Sequence, residues 1–348
     1  MQVDCITNIE QFNKLKSNWE AVYAADPNVT IFVSWGWLRG WFEVVPDRWL
    51  VLAARPENTS AYVAFLPLRI NAGQRRLQMG GNHLADHTGF VCLPEHKEAT
   101  IPVFVHYIQQ YLKWDQFQMR DVLDDRLNVF LNDFPSQQFI LRQTDSTSCP
   151  YLPLPESWEE YLEGLSSTTR RNIRYYTRQV ERLHEFRVTN VREDNFDRQI
   201  ETSLMLWRLR WGVKPEHFLD SYRTVLRHCF ENDHLWVTIL WDGVVPVAGM
   251  AAFIDKQNKS FSPYISGYDD RYAKLSPGTV MMGYGIRYAI ENGFETCDFL
   301  RGDEAYKFTI GGVERFNTNV IITRKSLRMT ARKVMGRIHR TIRNTIKV

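Results

Sequence analysis

Between residues 8 and 25, Ile9, Phe12, Leu15, Trp19 and Val22 recur every three or four positions, which predicts an amphipathic helix at the start of the chain. Ser34 stands ahead of WGWLRGWF as a helix N-cap. The period then changes: WLVLAA (49–54) and AYVAFLPLRI (61–70), parted by the turn-rich RPENTS, predict a β-hairpin. Helical spacing returns over 97–113 through Ile101, Phe104, Val105, Ile108, Tyr111 and Leu112, and DQFQMRDV and QQFILR follow as strands.

The stretch TDSTSCPYLPLPES (144–157) is rich in Ser, Thr and Pro, favours turns over regular structure, and marks a boundary. Beyond it the pattern predicts helices at 156–184, 193–211 and 215–231. The strands LWVTILW and VVPVAGMAAFI then flank the turn Asp242-Gly243, and KSFSPYISGY forms a third strand. A helix over 277–292 ends at Gly293 and leads to the strand TCDFL. Both halves share one order, in which 49–70 answers 235–254 and 97–121 answers 277–300. We therefore expect two copies of one α/β (α+β) fold, each a mixed, largely antiparallel sheet flanked by helices. The units are 1–150 and 151–323, with a basic helix at 324–348.

The 348 residues suit two domains, and 44% hydrophobic content gives each a core. Formal net charge is +3, but nine Lys or Arg and no acid fall in the last 25 positions. There Leu327, Ala331, Val334, Ile338, Ile342 and Ile346 recur at helical spacing. Such a helix can lie on an anionic membrane surface or pack on the acidic body of the protein, and RNA is a weaker partner for want of aromatic residues. Cys5, Cys92, Cys149, Cys229 and Cys297 are scattered, which points to a reducing compartment; with neither a signal peptide nor a spanning segment in the sequence, we expect a cytoplasmic protein, peripheral at the inner face of the membrane if the tail binds there.

The P-loop, G-x-G-x-x-G, G-x-S-x-G and H-E-x-x-H motifs are absent, which argues against those chemistries. His83 and His87 flank Asp86 at a spacing that would suit a metal on a helix, but Gly80-Gly81 and Gly89 make the segment a loop and no metal is expected. The run SPYISGYDDRYAKLSPGTVMMGYGIRYAIENGFETCDFLRGDEAYKF is the most specific text in the chain. Its Gly267-Tyr268-Asp269, Ser276-Pro277-Gly278, Asp298-Phe299, Arg301-Gly302-Asp303-Glu304 and Tyr306-Lys307 resemble the GNAT acetyltransferases of the CelD/BcsL type, of exopolysaccharide or cellulose biosynthesis, relatives of the FemABX aminoacyltransferases. Ser34-Trp35, Leu66-Pro67-Leu68, Asp86 and TTRRNIRYYTRQVERL extend the likeness over residues 30–320.

The resemblance implies tandem GNAT folds and acyl transfer from a thioester such as acetyl-CoA to an amine or hydroxyl of a sugar or cell-envelope acceptor. Ser276 and Pro277 suit a helix start, either as plain capping or as a receptor for a pyrophosphate, with Gly278 and Thr279 beside it. AKLSPG departs from the usual GNAT phosphate signature. Asp298 is either a satisfied strand-end carboxylate or a general base, while Tyr306, Lys307, Glu304, Arg301 and Asp303 form either an ion-paired loop or catalytic and substrate groups. Asp86 and Tyr268 are substrate-site candidates. Arg171, Arg174 and Arg178 belong to an arginine stripe that is either a solvated face or a site for an anionic partner. Trp35, Trp37, Trp41, Trp207 and Trp211 suit the core better than sugar stacking. Two other functions stay open: aminoacyl transfer from charged tRNA, and a non-catalytic scaffold in a polysaccharide-synthesis complex.

Overall fold

The computed structural model describes residues 1–45, 48–183 and 185–325; the basic helix expected at 324–348 therefore lies, beyond Lys325, outside the described residues. The first half runs β1 (Gln2–Ile6), α1 (Ile9–Lys14), α2 (Lys16–Ala25), α3 (Trp35–Val44), β2 (Trp49–Arg55), β3 (Ala64–Asn71), β4 (Arg76–Met79), β5 (Val91–Cys92), α4 (Lys97–Gln110), β6 (Gln116–Val122), α5 (Arg126–Asn132) and β7 (Phe139–Thr144). The second runs β8 (Tyr151–Pro153), α6 (Trp158–Gly164), α7 (Ser167–Arg182), β9 (Phe186–Asn190), α8 (Phe196–Trp211), α9 (Glu216–Glu231), β10 (Leu235–Asp242), β11 (Val245–Asp255), β12 (Ser260–Tyr268), α10 (Pro277–Glu291), β13 (Thr296–Asp298), α11 (Ala305–Thr309) and β14 (Thr318–Arg324).

The repeat is present over six strands of each sheet, with β5 and β7 extra in the first. One sheet has the order β1-β2-β3-β4-β6-β14-β7 and the other β8-β13-β12-β11-β10-β9. Within each, a four-strand antiparallel meander meets a parallel strand after a helical crossover: β4 pairs β6 across α4, and β12 pairs β13 across α10. The next position in each sheet is filled from elsewhere in the chain. β8, which leads out of the first half, pairs antiparallel with β13, and β14, from the far end, inserts between β6 and β7. The crossing segments touch at Ser148–Phe316 and Tyr151–Val313. The two halves exchange strands, so the division at 323 needs correction: residues 318–324 complete the first sheet.

Strand alternation distributes the core into three layers. In β2, Trp49, Val51 and Ala53 face the central core, while Leu50, Leu52 and Ala54 face a layer under α4 and α5. In β10, Leu235, Val237, Ile239 and Trp241 face the centre, and Trp236 and Leu240 face α7 and α10. The central layer holds α1–α3 of one half against α8 and α9 of the other. Gly36 and Gly40 let α3 sit on α9: a Cβ at Gly40 would come within 2.9 Å of the Val225 backbone. Trp37 and Trp41 are fully buried there, as core residues. The opening helix is two, α1 and α2, meeting at Leu15, and the segment 156–184 is also two, because Ser166 caps α7 through the Thr169 amide.

Candidate active site

Three places collect the residues singled out by sequence: a polar seam between the halves, a cleft in the second half and the arginine face of α7.

The seam lies past the end of β13. Asp298 is buried, accepts from His87 Nε2 at 3.1 Å and from Arg315 at 2.9 Å, and takes the Leu300 amide at 2.9 Å. Burial favours the neutral acid, but the charge and hydrogen bond of His87, then Arg315, hold its carboxyl well below the usual range. His87 responds in the opposite sense: burial would lower it, but Asp298 and then Cys149 push it up to about 9. Beside this pair, Arg301 donates to Asp86 at 2.9 Å and to Asp121 at 2.9 Å, and Asn317 donates to Asp121 at 2.9 Å. Asp86, His87 and Asp121 come from the first half, the others from the second. Leu300 sits at φ 61°, an unfavourable angle for leucine, held by the Asp298 turn.

Lys307 is buried, pairs with Glu304 at 2.9 Å and donates to the carbonyls of Arg301 at 2.7 Å and Gly302 at 3.1 Å. It pins the loop after β13. Asp298 and Lys307, for which the sequence left a structural and a catalytic role open, are each enclosed by protein partners, and neither is among the residues that line the cleft. Glu304 is spent on Lys307, Asp86 and Arg301 on each other, and Asp303 is exposed. His83 and His87 are indeed in a loop, and among the described residues no cluster of three His, Cys, Asp or Glu is placed to hold a metal ion.

The cleft, of about 340 Å³, opens because β12 and β13 pair only at Ser260–Thr296 and Phe261–Cys297 and then part. Its floor is Gly249 and Met250 of β11 and Ser266–Tyr268 of β12; its walls are the first turns of α10, with Ile173 of α7, Tyr161 of α6, and Tyr306 and Ile310 from around α11. Gly267 brings the end of α8 onto β12, so that Arg210 and Trp211 close one side. The Trp211 indole donates to the Ser266 carbonyl at 3.0 Å, and the Arg210 guanidinium lies 5.1 Å from the Tyr268 ring.

Ser276, Pro277, Gly278 and Thr279 form the mouth of α10 in this cleft. Ser276 adopts a left-handed conformation (φ 45°, ψ 55°), and its side chain makes no capping bond, contrary to the capping expected from sequence. The positive end of a 15-residue helix thus faces the cleft without a side-chain acceptor, and Gly278 keeps the approach open. Tyr306 also lines the cleft; burial, then the Glu304 charge, pushes its hydroxyl up to about 12, so it stays protonated at neutral pH. The sequence does not single out Arg210, and Trp211, expected in the core, is instead half exposed; both reach the site because α8 ends against Gly267.

Ser167, Arg170, Arg171, Arg174, Arg178 and Arg182 line a separate groove of about 450 Å³ on α7. Its inner side carries Ile173 to the cleft wall.

Residues 167–308, which supply most of the lining of this cleft, match the family model of the acetyltransferase (GNAT) domain. Over the described residues the chain has a tandem GNAT-like fold. It is similar to FemX (10% identity, 91% of this chain and 96% of that one, TM-score 0.65), to L-PGS from Bacillus licheniformis (9%, 92% and 94%, 0.58), and to a tandem GNAT protein from the clavulanic acid biosynthesis pathway (8%, 93% and 98%, 0.52). No curated protein sequence matches the chain. Among the described residues no helix is long and apolar enough to cross a membrane.

Proposed function

We propose that the protein transfers an acyl group, acetyl in the first instance, from acyl-CoA to an amine or hydroxyl of a sugar or cell-envelope intermediate. The acceptor class rests on the sequence resemblance to the CelD/BcsL-type acetyltransferases. The donor rests on one observation: the uncapped start of α10 opens into the apolar cleft made by the parting of β12 and β13. The Gly278 amide, which has no backbone partner, and the positive end of α10 suit a pyrophosphate, with Arg210 as a further positive charge, and the Met- and Ile-lined interior suits the pantetheine arm.

In this reading the acceptor attacks the thioester carbonyl directly. The new C–N or C–O bond forms as the C–S bond breaks, and Tyr306 gives its proton to the departing thiolate. The lining residues include no carboxylate, so the acceptor's proton leaves to water, and the phenolate of Tyr306 regains one from solvent. The arginine face of α7 and the likeness to FemX favour a second reading, aminoacyl transfer from charged tRNA.

Acetyl-CoA at a hundredfold excess over its Kd should stabilise the protein by about 2.7 kcal/mol, seen as a rise in melting temperature. Gly278→Val should remove that rise while leaving the unliganded protein folded, since a Cβ there meets Tyr268 at an ordinary 3.4 Å. Tyr306→Phe should keep the rise and lose roughly a hundredfold in kcat. Stabilisation by aminoacyl-tRNA and not by any acyl-CoA would sink the first reading.

A further inference from the structure

We propose that the outer face of α7 docks the protein onto an anionic phospholipid surface. Arg171, Arg174, Arg178 and Arg182 are exposed along one helix, and with Arg170 they form a row about 18 Å long. The half-buried arginines of α9 are answered by carboxylates: Arg223 holds Glu201, Glu216 and Asp220, and Arg227 holds Glu193 and Asp197. Among the described residues, these four on α7 enter no such pair. Like charges at a spacing of four destabilise a helix, so the row is a standing cost that an external polyanion would relieve.

The form of the groove selects the partner. Every lining residue belongs to α7, so the surface has no second wall with which to enclose a small phosphate compound. A single anion would meet one or two guanidinium groups in open water. A sheet of headgroups meets the whole row at once, and the attraction is additive and needs no fitted pocket. Tyr175, 54% exposed in the middle of the row, has the amphipathic ring that settles at a bilayer interface, and Leu183 stands exposed at the end of the helix. A single-stranded nucleic acid would need several stacking platforms, and α7 offers this one exposed ring. The opposite side of the same helix places Ile173 in the cleft wall, so docking would hold the cleft one helix diameter from the lipid.

The test is flotation of the full chain with vesicles of phosphatidylglycerol and phosphatidylcholine in equal parts, and with phosphatidylcholine alone, at about 0.1 M salt. The wild type should bind the anionic vesicles only. Arg171→Gln, Arg174→Gln and Arg178→Gln combined should weaken partitioning on the order of a hundredfold, about fivefold for each charge removed, with circular dichroism unchanged. The combined Arg→Lys variant should bind like wild type, because a bilayer reads charge and not guanidinium geometry. Equal binding by the Gln variant and the wild type would overturn the proposal, whatever the basic residues beyond 325 contribute. So would loss of binding in the Lys variant, or tighter binding of the wild type to a 20-nucleotide RNA than to the anionic vesicles with the same arginine dependence. None of these readouts depends on acyl transfer.

Discussion

Asp298→Ala is expected to lower folding stability by about 3–5 kcal/mol, because it leaves His87 and Arg315 facing one another in a buried seam without the carboxylate that joins them. Molecules that remain folded should keep their turnover, since Asp298 lies outside the cleft. Urea unfolding with activity per folded molecule separates the two effects. A large fall in kcat with little change in the urea midpoint would restore Asp298 as a base. The pair also predicts a pH dependence. The folded pKa of His87, raised to about 9 from roughly 6.5 when unfolded, makes its contribution complete below about 6.5 and loses it as pH rises through 9. That contribution is about 3 kcal/mol. Asp298 is shifted down, so its part is present above its ordinary unfolded value of about 3.9 and is lost as the solution becomes more acidic. Wild type should therefore lose stability between pH 6.5 and 9, and Asp298→Ala should show a flatter profile over the same interval.

Gly267→Ala is expected to cost about 3 kcal/mol and abolish donor binding together. A single methyl there would land on the backbone of α8, at the Leu206 carbonyl and the Trp207 amide, atoms that cannot rotate aside. The helix must lift from β12 and carry Arg210 and Trp211 off the cleft. The contrast with Gly278→Val is the diagnostic, since there the added group meets a ring at contact distance and blocks ligand entry without moving a helix. Thermal unfolding with and without acetyl-CoA reads both. A Gly267→Ala protein that melted like wild type would show that α8 has room the structure denies it.

Periodicity made much of this architecture legible. The hairpin of β2 and β3 and the crossover helices α4 and α10 follow from apolar spacing, and the repeat follows from their order. β14 escaped, although Val320, Ile321 and Ile322 form a β-branched run, because nothing local says that a strand at the end of a chain belongs to the sheet at its beginning. β4 is four residues long, too short for any period to show, whereas the three residues of β13 fall within the strand expected at TCDFL. The cleft residues Ser276, Gly278, Thr279, Tyr268 and Tyr306 do meet, since a helix start, the strand before it and the loop after the next strand are close in this topology. The charged groups of DFLRGDEAYK could not be placed from the sequence, for a physical reason. A sequence shows that Asp298, Arg301 and Lys307 are ionisable, but not that His87, Asp86 and the loop carbonyls are waiting to neutralise them.

The insertion of β14 between β6 and β7 also governs how the protein can be made. When residue 153 has left the ribosome, β6 and β7 are already synthesised, but the strand that joins them is not. At roughly 5–20 residues per second, that strand arrives on the order of ten seconds or more later. Throughout that interval the nascent first sheet presents two open strand edges, the surface most prone to pairing with another chain. The first sheet is closed only by a strand made after every strand of the second has been synthesised.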